Sequence, residues 1–175
     1  MKHVLLIEVM LMLGACGGSD AGAVLDAPAP DAAAITFATC TGTCRVTAVV
    51  VNIASQRTLD VGYFGVNQAG TLHVEAYAGA AGGCPTMTSP TPDYALILGA
   101  VPAPTDATAT TSPANLLDYK GDLLGGPIGK AAATVALTPS SYAPGTHLAL
   151  DLALGFNPGT ATGHLFATHC ASLDN

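Results

Sequence analysis

Tryptophan is absent from the 175 residues, and only four Phe and five Tyr are present. Recognition of polysaccharides and nucleobases leans on exposed aromatic platforms, so neither role draws support from composition. Basic residues are equally scarce, five Lys and Arg against twelve Asp and Glu, for a formal charge of −7. A nucleic-acid partner requires a basic patch to neutralise phosphates, and none can be assembled here; no nucleic acid is expected as a partner. An acidic chain with few charges overall is instead kept soluble and apart from its copies.

Catalytic signatures are missing as well. The serines after residue 35 stand in "IASQ", "MTSPT", "TTSPA", "PSSYA" and "CASLD", none of which is a G-x-S-x-G elbow. There is no H-E-x-x-H pair, no phosphate-cradling glycine loop and no EF-hand loop. Glu75 is the single glutamate after residue 15. A pair of carboxylates for hydrolysis would therefore draw on Asp60, Asp93, Asp118, Asp122 and Asp151. The expectation is a protein that is not an enzyme and needs no cofactor, with a hydrolase as the less favoured reading.

What is present begins with an apolar segment. Residues 4–13 follow Lys2 and contain nine apolar side chains in ten, too few to span a bilayer. A short basic start, a hydrophobic segment of this length and small residues after it form the layout of a secretory signal. The segment ends Leu13-Gly14-Ala15-Cys16, which resembles the lipobox of bacterial lipoproteins. The resemblance covers residues 1–16 only. It implies cleavage before Cys16, diacylglycerol on its sulfur and acylation of the new amino group, so that membrane lipid is the partner of the acylated Cys16. Two or more acyl chains hold a protein stably on a membrane without crossing it. Gly17 stands where many lipoproteins retained at the inner membrane carry Asp, which points to the outer membrane, on its periplasmic or surface face. Removing residues 1–15 takes away one charge of each sign and leaves −7.

Residues 16–34 continue as "CGGSDAGAVLDAPAPDAAA". Such a composition buries too little apolar surface to offset its conformational entropy, and reads as a disordered tether with some Ala-Pro stiffening.

From residue 35 the composition turns to Val, Thr, Leu and Tyr punctuated by Gly, Pro and Asn. Residues 35–175 suit one domain. Strands are expected at 35–40, 45–53, 58–66, 71–79, 94–101, 115–123, 131–138, 146–156 and 162–170, short and separated by turn formers. No capped segment with a 3.6-residue period occurs, so the fold class is all-β, a single antiparallel β-sandwich of Ig-like or jelly-roll-like type. In residues 147–156, Leu148, Leu150, Leu152, Leu154 and Phe156 alternate with His147, Ala149, Asp151, Ala153 and Gly155, which predicts a strand with one buried face.

Four cysteines remain for an oxidising compartment: Cys40, Cys44, Cys84 and Cys170. They allow three pairings, among which sequence does not choose. The pairing adopted is Cys40 with Cys44 and Cys84 with Cys170. The first needs "CTGTC" to bend, which Gly42 permits. A zinc site is disfavoured, because C-x3-C has no second close pair.

Candidate binding residues are His73, Glu75 and Tyr77, which share one face of a strand over 71–79. That stripe could hold a cation or polar ligand, but the wet face of a half-buried sheet is the preferred reading. His164 and His169 fall on opposite faces of their strand and so cannot both ligate one metal. The Pro-, Thr- and Ala-rich segment 102–114 offers a loop for an envelope or surface protein partner. The expected function is a lipid-anchored, non-catalytic envelope module with a structural or protein-interaction role. The alternative is an extracytoplasmic binding protein for a small ligand or metal.

Overall fold

The structure is a computed structural model, described here for residues 37, 39–80 and 82–175. The signal segment 1–15, Cys16 and the tether to residue 34 lie outside the described residues.

Among the described residues the domain has ten strands: β1 (Ala48–Asn52), β2 (Gln56–Leu59), β3 (Val61–Val66), β4 (Leu72–Ala78), β5 (Tyr94–Val101), β6 (Ala114–Asp118), β7 (Gly129–Ala131), β8 (Thr134–Ala143), β9 (His147–Gly155) and β10 (Thr160–His169). Two 3-10 turns, Gly42–Arg45 and Ala171–Leu173, are the only helical pieces among the described residues. The all-β expectation holds. All ten strands join one curled sheet, in the order β2-β1-β10-β3-β4-β5-β6-β7, with β9 on β10 and β8 on β9.

One pair departs from the antiparallel expectation. β3 meets β10 in parallel at Tyr63–Thr168 and Phe64–His169, so the sheet is mixed. The two strands approach so closely that a Cβ on Gly62 would lie 2.5 Å from the Phe166 carbonyl oxygen. Only glycine fits such a contact.

Several strand limits also differ from the sequence reading, each for a local reason. The segment 58–66 splits at Asp60, whose N–H donates to the Tyr77 carbonyl (2.9 Å). There the chain leaves β1 as a neighbour and takes β4. The segment 115–123 ends at Asp118, where the carboxylate collects the following backbone N–H groups. Segment 131–138 divides into β7 and a longer β8, which runs through Pro139. A register shift between Pro139 and Ser141 lets a residue without an N–H sit in a strand. Of the strand expected over 35–40, residues 35, 36 and 38 lie outside the described residues, Phe37 lies in a turn, and Thr39 and Cys40 are irregular.

β9 buries Leu148, Leu150, Leu152 and Leu154, and Phe156 beyond it, against the main core, with Asp151 and Ala153 exposed. At its start the other face is covered too. His147 and Ala149 are buried, and the imidazole bonds Ser141 Oγ (2.9 Å) and stacks on Phe166. Burial, with a lesser push from Arg45, holds the His147 pKa below the ordinary histidine value. From β4, Leu72, Val74 and Ala76 point into the same core and are fully buried. The opposite face of β3, β4 and β5 carries a second, smaller cluster of Tyr63, Tyr77, Ala95 and Cys170.

Candidate binding pocket on the outer face of β3, β4 and β5

Strand alternation sends His73, Glu75 and Tyr77 to the outer face of β4, and register decides what they meet there. Glu75 stands directly between Tyr63 of β3 and Ile97 of β5, and Tyr77 between Val61 and Ala95. Directly opposed side chains on one face lie about 4.5–5.5 Å apart at Cβ, so Glu75 is flanked by an aromatic ring and an aliphatic chain. The rings of Tyr63 and Tyr77 are 6.1 Å apart, tilted at 51°.

The segment 79–93, which connects β4 to β5, folds over this face and is held at both ends and in the middle. Asp93 N–H donates to Ala78 O (2.9 Å), and Gly83 N–H to the Tyr63 hydroxyl (2.9 Å). Cys84 is bonded to Cys170 (S–S 2.05 Å), and Ser172 Oγ donates to Pro85 O (2.5 Å). Within it, Thr86 and Ser89 close a turn on each other. Pro85, Pro90 and Pro92 bring no N–H that would need a partner.

Beneath it lies a cavity of about 270 Å³ lined by Tyr63, Glu75, Tyr77, Ala95, Ile97 and Tyr119, together with residues of this segment. The reading of the stripe as an open, wet face is therefore corrected for Glu75. Its side chain is only 12 % exposed, under a disulfide-held segment that lines the same cavity, whereas His73, outside that lining, is 28 % exposed. His73 Nε2 donates to Glu75 Oε1 (2.8 Å) and the Tyr77 hydroxyl donates to Oε2. Both oxygens of the carboxylate are thus oriented by neighbours on its own strand.

Tyr119 reaches the pocket through a second construction. Asp118 is buried at the end of β6 and accepts from Gly121 N–H (2.7 Å) on Oδ1 and from Leu123 and Leu124 N–H (2.7 and 2.8 Å) on Oδ2. Burial raises the pKa of this carboxyl, but the three donors outweigh it and hold it below the usual carboxylate range. The N–H groups of Tyr119 and Lys120 both donate to Asp93 O, which ties the turn to the covering segment. Beyond it, Tyr94 OH donates to Asp122 (2.5 Å), and Arg57 bonds both (2.8 and 3.1 Å).

The remaining residues singled out in the sequence are placed elsewhere. His164 bridges Asp151 Oδ1 (2.8 Å) and Cys44 O (2.9 Å), while His169 meets Asp174 (3.1 Å) and the edge of Phe64. They lie on opposite faces of β10. Among the described residues, no three His, Cys, Asp or Glu side chains gather closely enough to hold a metal ion. Asp60 and Asp151 are exposed, Asp93 pairs with Lys120 (3.4 Å), and none of the five aspartates lines the cavity. Cys40 is bonded to Cys44 (S–S 2.00 Å) across the turn in which Gly42 takes φ +60°. The segment 102–113 is pinned at Thr110, which exchanges two backbone hydrogen bonds with Leu137 of β8.

Of the three candidates on this strand, Glu75 and Tyr77 line the cavity and His73 does not; Tyr63, Ile97, Tyr119 and the covering segment were not legible from the sequence. The signal nearest to them was the cysteine in "AGGCP", which fastens that segment to the end of β10. The chain matches no family model, no curated protein sequence and no solved structure.

Proposed function

We propose that this chain is an exported bacterial lipoprotein, cleaved before Cys16 and acylated there, and held at the outer membrane by the tether 16–34. Its domain, a curled sheet read as a closed sandwich, is a non-catalytic binding module for a small ligand. The lipobox-like Leu13-Gly14-Ala15-Cys16 supports the anchor. Two disulfides in one small domain favour an oxidising, extracytoplasmic compartment. One observation carries the binding role over a purely structural one: Glu75 is largely buried at a cavity whose cover is fastened covalently. A concave site with mostly apolar walls and a few convergent polar groups is the usual form of a small-molecule pocket.

Two measurements test the two halves of this reading. Cys16→Ser should abolish labelling by fatty acid and leave the protein unprocessed or released from the membrane fraction; a variant that still carries label and sediments with membranes removes the anchor assignment. A thermal-shift screen of small metabolites and metal ions against the purified chain should return at least one stabilising compound, since a ligand bound only by the native state raises the melting temperature. An empty screen speaks for a structural module.

A further inference from the structure

Building on the reading of the Glu75 cavity as a ligand pocket, we propose that its ligand is a small organic cation with apolar substituents on nitrogen, a quaternary or tertiary ammonium. Three of the five tyrosines, Tyr63, Tyr77 and Tyr119, line one cavity. Aromatic faces carry negative charge density and attract cations, and cages of such rings are the common means of holding a quaternary ammonium.

Glu75 adds a carboxylate to the lining of the same cavity. The carboxylate already accepts from His73 and from Tyr77. With one donor on each oxygen its orientation is already set, and a quaternary nitrogen, which donates no hydrogen bond, needs only the carboxylate's electrostatic attraction and the aromatic faces. Ala95, Ile97 and the prolines of the covering segment supply apolar wall for methyl groups.

The other ligand classes fit less well. No Lys or Arg lines the cavity, so an anion would meet a carboxylate and no cationic partner in the lining. A calcium-like ion takes about six to eight oxygen ligands, and the lining offers one carboxylate. At about 270 Å³, the space falls just below the roughly 300–1,000 Å³ of pockets for drug-sized molecules, which suits a compact head group.

Isothermal titration of the purified full chain with choline chloride and tetramethylammonium chloride tests this. The controls are 3,3-dimethylbutan-1-ol, the uncharged carbon isostere of choline, and potassium chloride. Choline should bind and the isostere should bind at least about tenfold more weakly, the size expected when a desolvated cation–aromatic attraction is lost. Glu75→Gln should weaken choline binding by a similar factor. Tyr119→Ala should weaken it several-fold; Tyr119 is 47 % exposed, so its loss leaves folding intact and keeps the test clear of stability.

Equal affinity for choline and its isostere overturns the cation assignment and leaves a pocket for neutral ligands. So does a screened metabolite that binds when choline does not. Binding of none of these compounds, together with an empty metabolite screen, overturns the cation assignment and the pocket reading alike.

Discussion

Replacing Cys84 and Cys170 together by serine should lower the free energy of unfolding by roughly 4–5 kcal/mol, against about 2 kcal/mol for the Cys40 and Cys44 pair. The difference follows from chain length. The two bonds join residues separated by 86 and by 4 positions, and the unfolded chain loses more freedom when the longer loop is closed. The longer bond also joins the cover of the cavity to the residue after β10, so ligand affinity should fall with it. Urea denaturation of the exported variants measures the comparison. Equal losses for the two pairs would mean that the covering segment is held by its hydrogen bonds to Tyr63 and Ser172 and not by the disulfide.

Asp118→Ala should cost about 2–4 kcal/mol, because three backbone donors that now bond a buried carboxylate would lose it, and bonds to charged groups are the stronger ones. Asp118 is 2 % exposed, and the Leu123 N–H is buried with it, so water has little access there to replace the carboxylate. Leu123, which the turn carries into the main core, would be loosened at the same time. A pH dependence follows from the same geometry. The folded pKa of Asp118 lies below its unfolded value, so its contribution is complete above the unfolded pKa near 4 and is lost as pH falls through the folded value. Stability of the native chain should decline on acidification through that window, and Asp118→Ala should flatten the decline. A variant with full stability and an unchanged acid slope would show the turn to be held without its carboxylate.

These two constructions show what a sequence can and cannot reveal here. The alternation of leucines in β9 is a local signal, and so is the shared face of His73, Glu75 and Tyr77; both depend only on a period of two. Gly42 likewise marks a bend that lies within five residues. The partners of Glu75 are not local. Tyr63 and Ile97 reach it through the registers of β4 with β3 and with β5, and Tyr119 through a turn built on Asp118. Periodicity says which side chains share a face and leaves open what covers that face. The segment 79–93 reads as an ordinary Gly- and Pro-rich loop until the bond from Cys84 to Cys170 is drawn. The parallel contact of β3 with β10 was beyond reach for the same reason, since it joins segments about a hundred residues apart that share no turn.

The central claim is that the outer face of β4 is a covered recognition site, and amide and side-chain NMR of the isotopically labelled full chain during choline titration tests it most directly. Chemical-shift changes should concentrate on Tyr63, Glu75, Tyr77, Ile97, Tyr119 and the amides of the non-proline residues in 82–91. Changes centred elsewhere, such as the shallow groove beside Cys44 and His164, or saturable changes that leave Glu75 and Tyr77 unmoved, would contradict it.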